Sequence, residues 1–489
     1  MAHRTLIGGT AYTITGGHTL VNGTEYSIKS GRTLIGGTQY SIKFAPEYYA
    51  ILYNTGDLSF KKWNTGTETG KTVVSEHTGF INNVTAIPKW RSNVKNVYFK
   101  SPITTNSMYY WFYDAVNLVS VNTTNLNLST IENMFYTFYN AINYTGTPLN
   151  TPNVVNLRYA YMKCEKITGS PFCGAKTEDM GSAYQQCSLI TGNPVSGPNV
   201  TNMAWAYAYC YNLSGAPACG DKVQSLAHAY YFCNKITGNA ACGANVTSMA
   251  QTYWGCTSLN GSPACGNNVT NLYATYKDCV NLTGTPIIGP KVINARAAYE
   301  GCSKLTGAPS CGNCVTELIN TYTNCKNLTG TPICGPNVTT MQYTYANCSK
   351  LTGRAVIGNK VTQASFAFTD CVNLDKGPIV GTNVTNLCWT FARCAKLGGN
   401  MYIYANEITN VYWGLRRTNA SWPRLNIYFH AGTTTNDSIM GAKSQNASTS
   451  ITGQVMSFTN YSNGCSKTWQ NYYFYPVANV AAARAANGD

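Results

Sequence analysis

The chain has 489 residues, enough for several ordinary domains or for one extended repeat array with attachments. Apolar residues make up 44% and aromatics 12%, including 36 tyrosines, which excludes a disordered chain. The net charge of +15 comes from 34 scattered Lys and Arg against 19 acids; it favours anionic partners such as wall polymers or capsule sugars, and the absence of a basic run argues against nucleic acid.

The opening MAHRTLIGGTAYTITGG has no apolar core of signal-peptide length, and no stretch approaches the ~20 apolar residues of a membrane span. The expectation is a chain made in the cytosol, inserted in no membrane, that leaves the cell as part of a larger particle. Residues 4–44 hold a 14-residue repeat, RTLIGGTAYTITGG, HTLVNGTEYSIKSG and RTLIGGTQYSIKF. Each unit is two β-rich runs around a Gly-Gly or Asn-Gly turn, so residues 1–44 are expected to form three β-hairpins. A lone hairpin is marginal, so this segment is assigned to assembly, either by pairing with other chains as a homo-oligomer or by docking on a larger body. These ladders resemble those at the N-termini of phage and prophage tail-region proteins, which implies a virion location and other virion proteins as the partners.

Residues 45–100 read as a β-rich N-terminal cap. Within them GTETGKT at 66–72 looks like a phosphate loop, but three residues rather than four separate Gly66 and Gly70. A surface turn is the expectation there.

Residues 101–417 are assigned to a repeat solenoid. Cys164, Cys187, Cys210, Cys233, Cys256, Cys279, Cys302, Cys325, Cys348, Cys371 and Cys394 follow one another every 23 residues, a period that marks stacked units. With Cys as position zero, −3 is Tyr from Tyr161 to Tyr345, then Phe368 and Phe391. Position −7 is Leu, Met or Ala, −10 is Val except for Thr177, and +3 is Ile or Leu. Steps of 3, 4, 3 and 3 predict one buried face of a short helix. Leu-Thr-Gly-x-Pro follows as an extended segment. Gly at +10, from Gly174 to Gly381, is assigned to a turn with positive φ, and the Asn-x-Thr triplets to helix N-caps rather than glycosylation. The expected unit is strand, turn and short helix, and strands stacked at ~4.8 Å give an array roughly 50 Å long. Ala115 and Ala141 take the Cys place in two degenerate units before the array, and a fading copy follows at 406–415.

The pattern NVTNM…Y..C..LTG resembles the BspA-type leucine-rich repeats of bacterial surface and prophage-encoded proteins. The lead-in segments YYAILYNTGDLSF and VYFKSPITTNSMYYWFYDAVNL are similar to those that introduce such arrays. The resemblance spans about residues 47–415 and implies adhesion or recognition rather than catalysis.

A second cysteine ladder lies at +9, at Cys173, Cys219, Cys242, Cys265, Cys311 and Cys334, alternating with Ser196, Ile288, Ile357 and Val380. Aliphatic residues replace neither metal ligands nor disulfide partners, so both ladders are read as structural thiols in the core. Cys311 and Cys314 form a single CxxC without a second pair or a nearby His, which argues against zinc. Cys314, Cys388 and Cys465 fall off both ladders. The five histidines are far apart, and neither HExxH nor GxSxG occurs. No catalytic residue, metal or cofactor is therefore assigned.

The varying positions carry the binding expectation. Trp205, Tyr209, Tyr211, Tyr231, Phe232, Trp254 and Tyr273 lie between core positions of adjacent units and are predicted to share the outer face as an aromatic ligand-binding patch. Residues 418–489 break the period. LNIYFHAGTTT and SITGQVMSFTNY alternate like strands and VAAARAANGD reads as a short terminal helix, so a cap or a receptor-binding tip is expected. The functional expectation is a non-enzymatic structural or receptor-binding component of a phage tail or related particle that recognises host surface carbohydrate or protein. The alternative is a BspA-like bacterial surface adhesin, and the third reading is a carbohydrate-active enzyme on the same scaffold.

Overall fold

In the computed structural model, residues 48–62, 68–83, 87–405, 407–409, 414–415, 423–430, 434–435 and 472–489 are described, together with the strand paths within 3–42. Those early strands are β1 (His3–Ile7), β2 (Thr10–Thr15), β3 (His18–Val21), β4 (Thr24–Ser27), β5 (Gly31–Ile35) and β6 (Thr38–Ile42). They pair antiparallel as the three expected hairpins, and β2 also pairs with β3 to make one four-stranded sheet.

Strands β7 (Tyr48–Tyr53), β8 (Asp57–Lys62), β9 (Val73–His77), β10 (Asn96–Phe99) and β11 (Ser120–Asn122) form one sheet in the order β11-β10-β8-β7-β9. Its inner face packs Phe60, Phe80, Trp90, Phe99 and Trp111 around one another, and Trp90 Nε1 donates to Trp111 O at 2.9 Å. The turn read in GTETGKT is engaged by this cap. Lys71 bridges Asp57 at 2.9 Å and Glu68 at 2.8 Å, and Ser59 Oγ donates to Glu68 at 2.7 Å. Gly66 lies outside the described residues.

Burial alone disfavours the charged Glu68, but hydrogen bonds from Lys71 and Ser59 and the charges of Lys71 and Lys61 outweigh it and hold the carboxyl at about 2. Asp57 is also lowered, against burial, by Lys71, Asn96 and Thr55. A depressed folded-state pKa contributes stability that is full above the unfolded value and disappears as pH falls through the folded one. Between about pH 4.5 and pH 2 the cap therefore loses stability. Acid titration followed by tryptophan emission will show Glu68→Gln less stable than wild type at pH 7 and nearly equal to it at pH 2.

From Ser107 to Asn386 the residues at −8 form an unbroken ladder of parallel bridges, one per rung, and the chain is a solenoid. The segment expected to be a short helix is instead a run of tight turns. In every unit of the array the residues at −5 and −1 have positive φ, for example Tyr159 at 58° and Lys163 at 63°, whereas a helix needs φ near −63° throughout. Amide groups alternate in their partners. Leu157, Tyr159, Tyr161 and Lys163 donate to the next rung, at Asp179, Gly181, Ala183 and Gln185, whereas Ala160, Met162 and Cys164 donate three residues back. Stacked copies thus satisfy half of each segment's donors, which a lone helix does for itself. The inward side chains still fall at steps of 4 and 3, which is why the pattern reads as helical.

The inward columns form one dry core. Val at −10, the residue at −7, the aromatic at −3, Cys at zero and the aliphatic at +3 are fully buried through the array, as are Ala115 and Ala141 in the degenerate units. Each zero-position thiol donates to the −3 carbonyl of the preceding rung, as from Cys187 to Tyr161 and from Cys256 to Tyr230, both at 3.0 Å. The −3 rings stack nearly parallel from Phe138 to Phe391 at 5.2–5.6 Å.

The tyrosine hydroxyls hold the extended segment. Tyr253 Oη accepts from Ala241 N at 3.0 Å and donates to Ala241 O at 2.8 Å, and Tyr184 does the same at Phe172. Among the described residues of the cysteine array, the segments after +3 form regular strands only from β12 (Arg354–Ile357), β13 (Lys376–Val380), which contains Pro378 at +7, and β14 (Gly399–Ile403) onward. Where −3 becomes Phe, the residue twelve positions earlier already has strand partners: Val356 and Ile379 both lie in the β12–β13–β14 ladder.

The positive φ expected at +10 lies elsewhere. Positive φ belongs to the Gly of Leu-Thr-Gly at +5, as at Gly169 (80°) and Gly215 (81°). The Gly at +10 is there for close approach, since a Cβ on Gly243 would sit 2.5 Å from Gly220 O. The Asn-x-Thr triplets cap no helix. Asn199 Nδ2 donates to Ala175 O at 3.0 Å and Thr201 Oγ1 to Glu178 O at 3.1 Å, both on the preceding rung.

After the array, β15 (Glu407–Ile408) pairs with β17 (Thr434–Thr435), while β16 (Leu425–His430) and β18 (Tyr472–Val477) extend the β12–β13–β14 sheet in parallel. Helix α1 (Val480–Ala486) buries Val480 and starts at Asn479, whose side chain accepts from Ala482 N. Asp489 is bound by Arg354, Asn400 and Tyr402. SITGQVMSFTNY lies outside the described residues.

Candidate recognition face

The +9 thiols are half-buried rather than in the core, although they pack against it, and Gly243 N donates to Cys219 Sγ at 3.1 Å. Burial raises the thiols of Cys219, Cys265 and Cys311 to about 11, against opposing backbone hydrogen bonds. Every cysteine among the described residues is a free thiol. Cys314 is exposed, Cys388 sits at −6 on the outer face, and Cys465 lies outside the described residues.

The left-handed residues at −5 and −1 turn their side chains outward, so one position stacks on the next from rung to rung. Six of the seven expected aromatics cluster on this surface, on turns rather than helices, while Tyr273 makes no ring contact with them. Trp205 stacks on His228 at 3.9 Å and 7°. Tyr209 meets Tyr231 edge-on at 5.3 Å, lies parallel to Phe232 at 6.1 Å and touches Tyr211. Tyr231 also packs against Phe232 and Trp254. Trp254 is held by Asp278 and by Lys277, whose ammonium lies 5.1 Å from its ring. Tyr211 and Tyr273 are exposed and the other five are half-buried. Burial lowers the His228 pKa, against a hydrogen bond with Gln251 that raises it, which favours the neutral ring that stacks on Trp205.

Two further patches were missed. Tyr109, Tyr110, Tyr113, Phe135, Tyr136, Tyr139 and Tyr159 interlock over the first three rungs, with Tyr136 on Tyr159 at 4.5 Å and Tyr109 on Phe135 at 5.6 Å. Burial, reinforced by Tyr109, Tyr136 and Tyr113, raises Tyr110 to about 12. Tyr343, Phe366 and Trp389 make a third stack, all at −5. The signal was present in SMYYWFYDAV and NMFYTFYNA, whose aromatics keep the array's phase without its cysteine. Between patches the outer column changes character. Where −5 is Ala274 or Ala297, it is buried and Tyr273 or Arg296 precedes it at −6.

No family model matches the chain, and no curated protein matches it. Among solved structures, a leucine-rich cell surface protein from Faecalibacterium prausnitzii A2-165 is similar at a TM-score of 0.36 and 15% identity, over 75% of this chain and 93% of its own. A leucine-rich-repeat protein from Bacteroides ovatus ATCC 8483 is similar at a TM-score of 0.34 and 11% identity, over 78% and 90%. At such scores the likeness carries nothing about function; the solenoid is established by its own inter-rung hydrogen bonds.

Proposed function

We propose that this is a non-enzymatic recognition protein that displays its aromatic outer face to repeating polymers at a bacterial cell surface. The observation that carries this reading is the set of three partly exposed ring clusters on columns that advance one rung at a time. A polymer with regular units meets a surface with regular units, and aromatic rings contribute affinity without needing charge. The net charge of +15 adds attraction to anionic wall material.

Retention on immobilised wall and capsule polysaccharide tests it. Wild type is expected to bind and to stay bound in 1 M salt, where exposed charges are screened. The paired variant Tyr231→Ser and Trp254→Ser is expected to lose at least tenfold. Binding that vanishes in salt and ignores the aromatic variant assigns the interaction to charge alone and removes the proposal.

The hairpin pairing within residues 3–42 supports a second reading, attachment of the array to a particle through its N-terminal segment. If that is the role, a chain lacking residues 1–44 will keep its array and fail to join a particle.

A further inference from the structure

A pocket of about 300 Å³ opens where the N-terminal cap meets the first rung. Trp90 and Trp111, each 1% exposed, back it from the core, and the half-buried rings of Tyr109 and His77 are the aromatic surface it presents. Glu76, Thr78 and Lys89 are exposed at its mouth, and His77 lies edge-on to Trp90 at 5.4 Å. One acid and one base leave the mouth with no strong preference of sign. Together with Thr78 and Asn83 they set donors and acceptors side by side, which suits hydroxyl groups that do both. The volume falls at the small end of ligand pockets and matches a single sugar ring.

The pocket is continuous with the outer face. Tyr109 is one of its linings and also the first ring of the N-terminal patch, parallel to Phe135 within 10°. A chain whose end sat in the pocket would run its next units over Tyr109 and Phe135.

We propose that this pocket binds the terminal, uncharged pyranose of a polysaccharide, with the ring against Tyr109 and its hydroxyls on Glu76, Thr78 and Lys89. The assignment rests on the recognition reading above and adds an end-binding site to it.

Saturation-transfer NMR on the full chain tests this, with methyl glycosides of glucose, galactose, mannose and N-acetylglucosamine as probes and phenylalanine as a zwitterionic control. At least one glycoside is expected to receive saturation from wild type. Thr78→Trp, which places a ring in the mouth, is expected to weaken that binding at least tenfold with an unchanged thermal melt, and Glu76→Gln to weaken it several-fold. A glycoside signal that the Tyr231→Ser, Trp254→Ser variant loses and Thr78→Trp keeps would place the bound sugar on the central patch and overturn the proposal. The proposal is overturned if no glycoside binds wild type, if Thr78→Trp binds equally, or if phenylalanine binds in preference. Retention on polymer through the central patch can survive each of those results, so the two ideas fail separately.

Discussion

Gly243→Ala is expected to destabilise the array by about 3 kcal/mol, the upper end of what an overpacked core methyl costs. The added carbon would lie 2.5 Å from Gly220 O and 3.2 Å from Cys219 Sγ. The rung has little freedom to move aside. Gly243 N is held on Cys219 Sγ, and two residues earlier Ala241 is clamped by Tyr253. Moving it would break those bonds and separate it from the rung behind. Gly79→Ala supplies the comparison. Its φ of 72° carries the strain of a left-handed residue, but nothing lies within 4 Å of the new carbon, so it should cost only about 1 kcal/mol. Urea unfolding of both variants decides the matter; a smaller loss at Gly243 than at Gly79 would show that rung spacing is not limited by this column.

Tyr253→Phe is expected to cost about 2 kcal/mol, because one hydroxyl serves two backbone groups of Ala241 that have no ladder partner. The reverse exchange, Phe368→Tyr, is also expected to destabilise, by about 1–2 kcal/mol. The residue its hydroxyl would reach, Val356, is already paired with Ile379, and the ring is fully buried. Neither change alters ring stacking, so thermal melts of the two variants isolate the hydroxyl. A neutral Tyr253→Phe would mean that the segment after the proline is held by packing alone.

The cysteine period, the −3 rings and the aliphatic columns were legible because burial depends on side-chain phase, and a phase survives whatever the backbone does between inward positions. The helix was not legible as an error for the same reason. Leu157, Tyr161 and Cys164 face inward at steps of 4 and 3 whether the chain winds as a helix or folds as turns with Tyr159 and Lys163 left-handed. Tyr159, Trp205 and Phe366 at −5 are residue types that rarely take positive φ, but −1 is Gly, Asp or Asn in six consecutive units from Gly255 to Asp370, a sign of left-handed turns that the helical phase overrode. The +10 glycines look identical in sequence whether they serve φ or proximity, and only the neighbouring carbonyl tells them apart. The central aromatic patch was read from its phase. The N-terminal patch was overlooked because it precedes the first cysteine, and the pocket beside it is built from residues as distant as Glu76 and Trp111.

The hydrogen bonds between rungs also bear on how such a chain changes length. Recombination that adds or removes 23 residues joins one rung's donors to an equivalent set of acceptors and keeps every column aligned. A change of any other length must be absorbed within one rung, as between Ala115 and Ala141, which are 26 residues apart and both fully buried. Copy number is therefore free to drift in whole units, which would reposition the ring clusters along the outer face without redesigning the interior.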